Sequence, residues 1–242
     1  MVNKFFSLTK EFLLSRSKVM NFKIEHESVF TILRVNLDKG ESFRAEAGAM
    51  MSMSPSIQLE AKTTGKGLFG TLKAAVGGEG FFASLFTAVE AAGEVVLGPA
   101  SPGDILKMDL NNQTIYTQAG AYLAGSPNLE LSTKGSAKAL FSGEGLFLSK
   151  ITGTGTLFVS SYGAIFMKEL APGEKYIVDT GHIVAFEESI NYTIKKAAKG
   201  IFSTVASGEG LVCEYVGPGK LWVQTRNIGA LAKLLIPFLP KS

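Results

Sequence analysis

Apolar and polar residues alternate along most of this chain, and the alternation breaks at glycine-rich points that recur. Phe22-Lys23-Ile24-Glu25-His26 has a period of two, and Val29 to Leu37 shares it in part. Such alternation predicts half-buried strands. Ala47-Gly48-Ala49-Met50-Met51, Ala119-Gly120-Ala121-Tyr122-Leu123 and Thr180-Gly181-His182-Ile183-Val184 each open a similar stretch. Each runs on into an alternating segment: Ile57-Gln58-Leu59, Leu129-Glu130-Leu131 and Ile190-Asn191-Tyr192. In phase with them, Gly-Glu-Gly occurs three times, its glutamates Glu79, Glu144 and Glu209 spaced 65 residues apart. Self-similarity at a fixed period points to one structural unit written three times.

The predicted repeats span about 33–97, 98–160 and 161–225, within a β domain of residues 20–227. Pro102-Gly103 and Pro172-Gly173 read as turns between strands, with Lys39-Gly40 in the equivalent place of the first unit. After the second and third Gly-Glu-Gly, Leu146–Val159 and Leu211–Gln224 read as strand-turn-strand segments, broken by Gly153-Thr154-Gly155 and Gly217-Pro218-Gly219. Between the alternating strand and Gly-Glu-Gly, each unit carries an insert that mixes lysine with small and apolar residues. Residues 1–19 read as an amphipathic extension, with apolar positions 5, 8, 12 and 13 at helical spacing. Residues 228–242 read as a short apolar helix or tail ended by Pro237 and Pro240.

Composition agrees with a strand-and-turn body. The chain has 242 residues, 46% hydrophobic and only 19% charged, with 27 glycines. That is enough to bury a sizeable core. The single cysteine, Cys213, excludes an internal disulfide and a cysteine metal cluster, and it fits a reducing compartment. No apolar run reaches the roughly 18 residues of a transmembrane helix, and Lys10 and Glu11 spoil residues 1–20 as a secretory signal. The expected location is cytoplasmic, with peripheral membrane contact as an extension of it. A net charge of +3 is mild, and the lysines and arginines are scattered without an interleaved aromatic platform, so no nucleic-acid partner is expected.

An ordered set of motifs gives a resemblance. Glu46-Ala47-Gly48-Ala49-Met50, Gly78-Glu79-Gly80-Phe81-Phe82, Gly93-Glu94-Val95-Val96-Leu97-Gly98-Pro99 and Pro102-Gly103-Asp104-Ile105 are its first half. Gly120-Ala121-Tyr122-Leu123-Ala124, Gly143-Glu144-Gly145-Leu146, Val178 through Phe186 and Gly208 through Thr225 complete it. Together they resemble the altered-inheritance-of-mitochondria protein 24 family. The resemblance covers about Phe22 to Thr225. It implies a β-sandwich, or double-stranded β-helix-like body, of the kind seen in the trp RNA-binding attenuation protein, and it implies oligomerisation. It brings no established reaction, and the shared fold does not transfer RNA binding.

Candidate chemistry is sparse. Glu79, Glu144 and Glu209 would form a cation site if the three units converged on an axis; otherwise they sit at glycine turns, bonding backbone N–H groups or lysines. Asp179-Thr180-Gly181-His182 is the richest polar cluster. Asp179 and His182 would orient one another for acid–base work. No nucleophile elbow accompanies them, and two histidines in the chain exclude a multi-histidine zinc site. His182 replaces a small residue at a repeated turn, which favours a structural histidine. Gly65 to Gly70 lacks the phosphate-loop pattern, and no cofactor is expected. Leu68, Phe69 and Leu72, with Ile201, Phe202 and Val205, would expose apolar patches on a monomer. The readings are homo-oligomer packing, with a trimer favoured, and interfacial membrane attachment. The leading expectation is a non-enzymatic oligomeric scaffold or interaction protein. The alternative is a small-ligand or metal-binding protein, or a weak enzyme, centred on Asp179 and His182.

Overall fold

The computed structural model describes residues 20–63, 82–134, 148–196 and 211–239. Strand dominates, in the all-β class that the alternation predicts. The first group of strands is β1 (Asn21–Glu25), β2 (Ile32–Leu37), β3 (Ser42–Glu46), β4 (Met50–Met53), β5 (Ile57–Thr63), β6 (Phe82–Ala88) and β7 (Gly93–Leu97). The second is β8 (Ile105–Gln118), β9 (Tyr122–Gly125), β10 (Glu130–Lys134) and β11 (Leu148–Ser160). The third is β12 (Ile165–Leu170), β13 (Lys175–Asp179), β14 (Ile183–Glu187), β15 (Asn191–Lys196), β16 (Leu211–Val216) and β17 (Gly219–Gln224). Helix α1 (Ile228–Leu235) and a 3-10 turn (Ile236–Phe238) follow, Pro237 ending the α geometry.

One pairing plan serves all three groups. In the first, β2 pairs with β7 and β3 with β6, while β4 adds to β7 and β5 to β6. In the third, β12 pairs with β17 and β13 with β16, while β14 adds to β17 and β15 to β16. In the second, the two long strands β8 and β11 run antiparallel over their whole length, and β9 and β10 flank opposite halves of β11. All these ladders are antiparallel. The β4, β9 and β14 ladders even share a one-residue irregularity, after Met50, Tyr122 and Ile183 respectively.

The glycine stretches after Gly-Glu-Gly do not make hairpins as the sequence reading expects. β11 passes straight through Gly153–Gly155 with a bulge, because β8 pairs with it on both sides of that point. β16 and β17 do not pair with each other. β16 joins β13 and β15, whereas β17 joins β12 and β14. Gly217–Gly219 is thus a corner at which the chain leaves one sheet for another. Pro102-Gly103 likewise does not match Lys39-Gly40. The turn at residues 38–41 lies between β2 and β3, and its counterpart at 171–174 lies between β12 and β13. In each, a glutamate closes the turn: Glu41 accepts from the Asp38 N–H at 2.7 Å, and Glu174 from the Ala171 N–H at 2.9 Å. Gly103 instead bridges, in parallel, to Phe30 on one side and to Gly163 on the other, each two residues before its group's first principal strand.

Neighbouring groups are joined edge to edge. β3 pairs with β9, setting Ala45 opposite Ala124, and β8 pairs with β14, setting Thr117 opposite Ala185. The core follows these joins. Phe43, Phe86, Leu33 and Leu97 of the first group pack with Leu123, Ala124 and Phe158 of the second. Phe186, Tyr215 and Leu221 of the third pack with Tyr116 and Leu148 of the second. Phe43 stacks on Phe86 with centroids 5.1 Å apart, and Phe186 meets Tyr215 edge-on at 5.3 Å.

The Gly103 bridge has no room for a side chain. A Cβ there would lie 1.9 Å from the Ser161 carbonyl oxygen, which is backbone and cannot swing away. Gly173, at φ +77°, faces open space. Gly103→Ala is therefore expected to destabilise the fold by about 3 kcal/mol. Gly173→Ala, where only the left-handed backbone is strained, is expected to cost roughly 1–2 kcal/mol. Urea unfolding of both variants checks the ranking.

Candidate functional site

The Asp179–His182 cluster sits where β13 ends and a single 3-10 turn (Thr180–His182) leads into β14. The turn forms because Asp179 caps it: the carboxylate Oδ1 accepts the Gly181 N–H at 2.8 Å. Thr180 donates to the Leu211 carbonyl at 3.0 Å, which ties the turn to β16. The His182 Nδ1–H donates to the Gln224 carbonyl at 2.8 Å, and this bond fixes the proton on that nitrogen. Gln224 in turn spans the site. Its amide donates to the Gly181 carbonyl at 3.0 Å and its oxygen accepts the Tyr162 N–H at 2.9 Å.

Asn227 is the hinge between this turn and the C-terminal helix. Its amide nitrogen donates to Asp179 Oδ1 at 3.3 Å, while its oxygen caps α1 by accepting the Gly229 and Ala230 N–H groups at 2.8 and 3.3 Å. A Cβ on Gly181 would fall 2.1 Å from that amide nitrogen, so glycine is required for Asn227 to reach Asp179. Asp179 and His182 do not bond to each other in this network; each is bound separately to groups 40 or more residues downstream. A groove of about 360 Å³ lined by Tyr162, His182, Arg226, Ala230, Leu231 and Leu234 runs along the exposed side of the cluster.

The other sequence-predicted site residues do not join it. Glu79, Glu144, Glu209, Leu68, Phe69, Leu72, Ile201, Phe202 and Val205 lie outside the described residues. Among the described residues, no group of three or more His, Cys, Asp or Glu side chains could hold a metal ion. Cys213 is fully buried, and burial pushes its thiol up, away from the reactive thiolate.

One residue escaped the sequence reading. Glu46 ends β3 two residues before Gly48, the place that Gln118 and Asp179 hold before Gly120 and Gly181. Burial pushes its carboxyl up from 4.5 to about 7. Tyr122 beside it, whose hydroxyl donates to the Arg44 carbonyl at 3.3 Å, is held neutral by deeper burial. A charged residue on the strand just before a repeated glycine turn is the signal that marks it.

Glu46 makes stability depend on pH. The unfolded chain releases this proton near 4.5 and the folded chain near 7. The folded state therefore binds it more tightly, and the associated stability is full below about pH 4.5 and lost as pH rises to about 7. The loss is at most about 3 kcal/mol. Urea midpoints measured between pH 4.5 and 7.5 are expected to fall in the native chain, and Glu46→Gln is expected to flatten that part of the profile.

Comparison with known proteins now adds lineage. The family model described as "Mitochondrial biogenesis AIM24" matches residues 22–226. An uncharacterised protein of Streptococcus pyogenes serotype M6 is 30% identical over 232 residues, covering 92% of each chain. The crystal structure of a Streptococcus pyogenes protein superposes with a TM-score of 0.77 at 26% identity, covering 91% of this chain and 100% of that one. The family match runs from within β1 to just past β17, and the chain belongs to the AIM24 family.

Proposed function

We propose that this protein is a non-enzymatic, homo-oligomeric scaffold or interaction module. One contrast carries the reading. β9 and β14 occupy the same place in their groups as β4 does in the first, and residues Tyr122–Gly125 and Ile183–Phe186 are all buried. In β4 every residue from Met50 to Met53 is exposed. Met50, Met51 and Met53 are 36%, 62% and 38% accessible. An uncharged, methionine-rich edge is what a partner strand covers, and a solitary protein guards such an edge with charge or proline. The polar cluster suits a structural role. Its carboxylate and imidazole Nδ1 are engaged in holding the 3-10 turn and α1.

Light scattering on the purified full chain tests this. The expected mass is a multiple of 25.7 kDa, three copies being favoured. A mass of one chain across micromolar concentrations would refute it.

A second surface supports peripheral membrane contact. α1 is capped by Asn227 and has no buried residue, and Ile228, Leu234, Leu235, Ile236, Phe238 and Leu239 are all exposed. After Glu214 the chain has no acidic residue and four cations, Lys220, Arg226, Lys233 and Lys241. Exposed aliphatic and aromatic side chains beside lysine suit the boundary of an anionic bilayer. Full-length chain is expected to pellet with phosphatidylserine-containing vesicles, and a chain truncated after Asn227 is expected to lose most of that binding. Equal pelleting of both, or of neither, would remove this surface from the account.

A further inference from the structure

We infer that the exposed β4 edge is completed by β13 of a second copy, in the antiparallel register that the chain already uses twice within itself. This rests on the oligomer reading above and specifies its interface.

Each made junction joins the strand that precedes a glycine turn in one group to the strand that follows the glycine turn in the next: β3 to β9, then β8 to β14. The third member of that series is β13 to β4. Both strands have an unused edge. β4 is laddered to β7 alone and β13 to β16 alone among the described residues. This missing join is also why the sheets divide as they do. The four-stranded sheet ends at β4 and the three-stranded sheet ends at β13, whereas the other groups run together through β3–β9 and β8–β14. The parallel bridges stop at the same place, linking Phe30 to Gly103 and Gly103 to Gly163 but not returning from Gly163 to Phe30.

The register follows from the made junctions. Four residues before their turn glycines, Arg44 lies opposite Gly125 and Tyr116 lies opposite Phe186. The residue four before Gly181 is Ile177. The β4 residue at the level of Gly125 and Phe186 is Met53, which pairs with Val95 as those two pair with Leu157 and Leu221. Ile177 is therefore set opposite Met53, and Val178 opposite Ser52. Ile177 is 60% exposed, unusual for an isoleucine at mid-strand and expected of one awaiting a neighbour.

The occupant is a second copy because, among the described residues, both edges are unpaired while the chain's other two junctions are formed. An edge on the first group and a different, complementary edge on the third make a head-to-tail contact. Repetition of such a contact closes a ring or extends a filament. Main-chain hydrogen bonds supply the association and the methionine and isoleucine side chains the apolar seal.

Cysteine pairing decides it. Chains carrying Met53→Cys alone and Ile177→Cys alone are mixed, allowed to reassemble, and oxidised. The expected product is a covalent dimer containing one chain of each kind, absent when either variant is oxidised alone and absent for the out-of-register mixture of Met53→Cys with Lys175→Cys. Native Cys213, fully buried, serves as the background control. A double variant, Met53→Cys/Ile177→Cys, is expected to give a ladder of linked chains. A product linked only within single chains would show that the molecule closes on itself and would overturn the inference. An oligomeric mass without the mixed dimer would overturn this interface while leaving the oligomer reading intact. A monomeric mass without it would overturn both.

Discussion

Strand edges carry rows of N–H and C=O groups that need partners, and this molecule is organised by how its three groups of strands satisfy one another's edges. Within each group the plan is complete: two central ladders, each widened by one flanking strand. What turns three such groups into one body is the edge-to-edge join. β3 meets β9 and β8 meets β14, and at each join the residues of the receiving strand become fully buried. The aromatic and aliphatic clusters sit across these joins and not within isolated groups. Burial and sheet extent thus follow from one repeated contact, and among the described residues β4, which lacks it, is exposed.

Much of this was legible in the sequence, and the failures have definite causes. Period-two alternation located the strands because each presents one face to the core, as Leu33, Val35 and Leu37 do in β2. The glycine stretches at Gly153–Gly155 and Gly217–Gly219 were misread as hairpins because a local pattern says that the chain bends, not which strand lies beside it. Their partners, β8 and the β12–β13 pair, are about 40 residues upstream. Pro102-Gly103 was misplaced for a similar reason. The residue that demands glycine there, Ser161, is distant in sequence and near in space. The junction strands were not legible at all, since Met50–Met53 reads locally like Tyr122–Gly125 and only tertiary context separates exposed from buried.

The polar cluster shows the same division. Asp179 and His182 stood out by composition, and the structure does bring them to one turn. The pairing that the sequence suggested, carboxylate to imidazole, is replaced by two separate anchors. Asp179 holds Gly181 and Asn227, and His182 holds the Gln224 carbonyl. Those anchors stiffen the point at which β13 ends and α1 begins, so the one histidine-bearing turn lies beside the open edge of the third group and the exposed C-terminal helix. Glu46, raised to about 7 by burial, occupies the matching position on β3. The three turns hold matching places but differ in backbone, with left-handed glycines at Gly48 and Gly120 and a 3-10 turn at Gly181, and in the charge placed on them.

Hydrogen–deuterium exchange of the native full chain, read at Met50–Met53 and Lys175–Asp179 over a range of protein concentrations, addresses the account's central claim most directly. If edge pairing between copies completes the structure, the amides of β4 and β13 gain protection with concentration until they match those of β9 and β14. Rapid exchange of β4 and β13 at every concentration, beside protected β9 and β14, would contradict it.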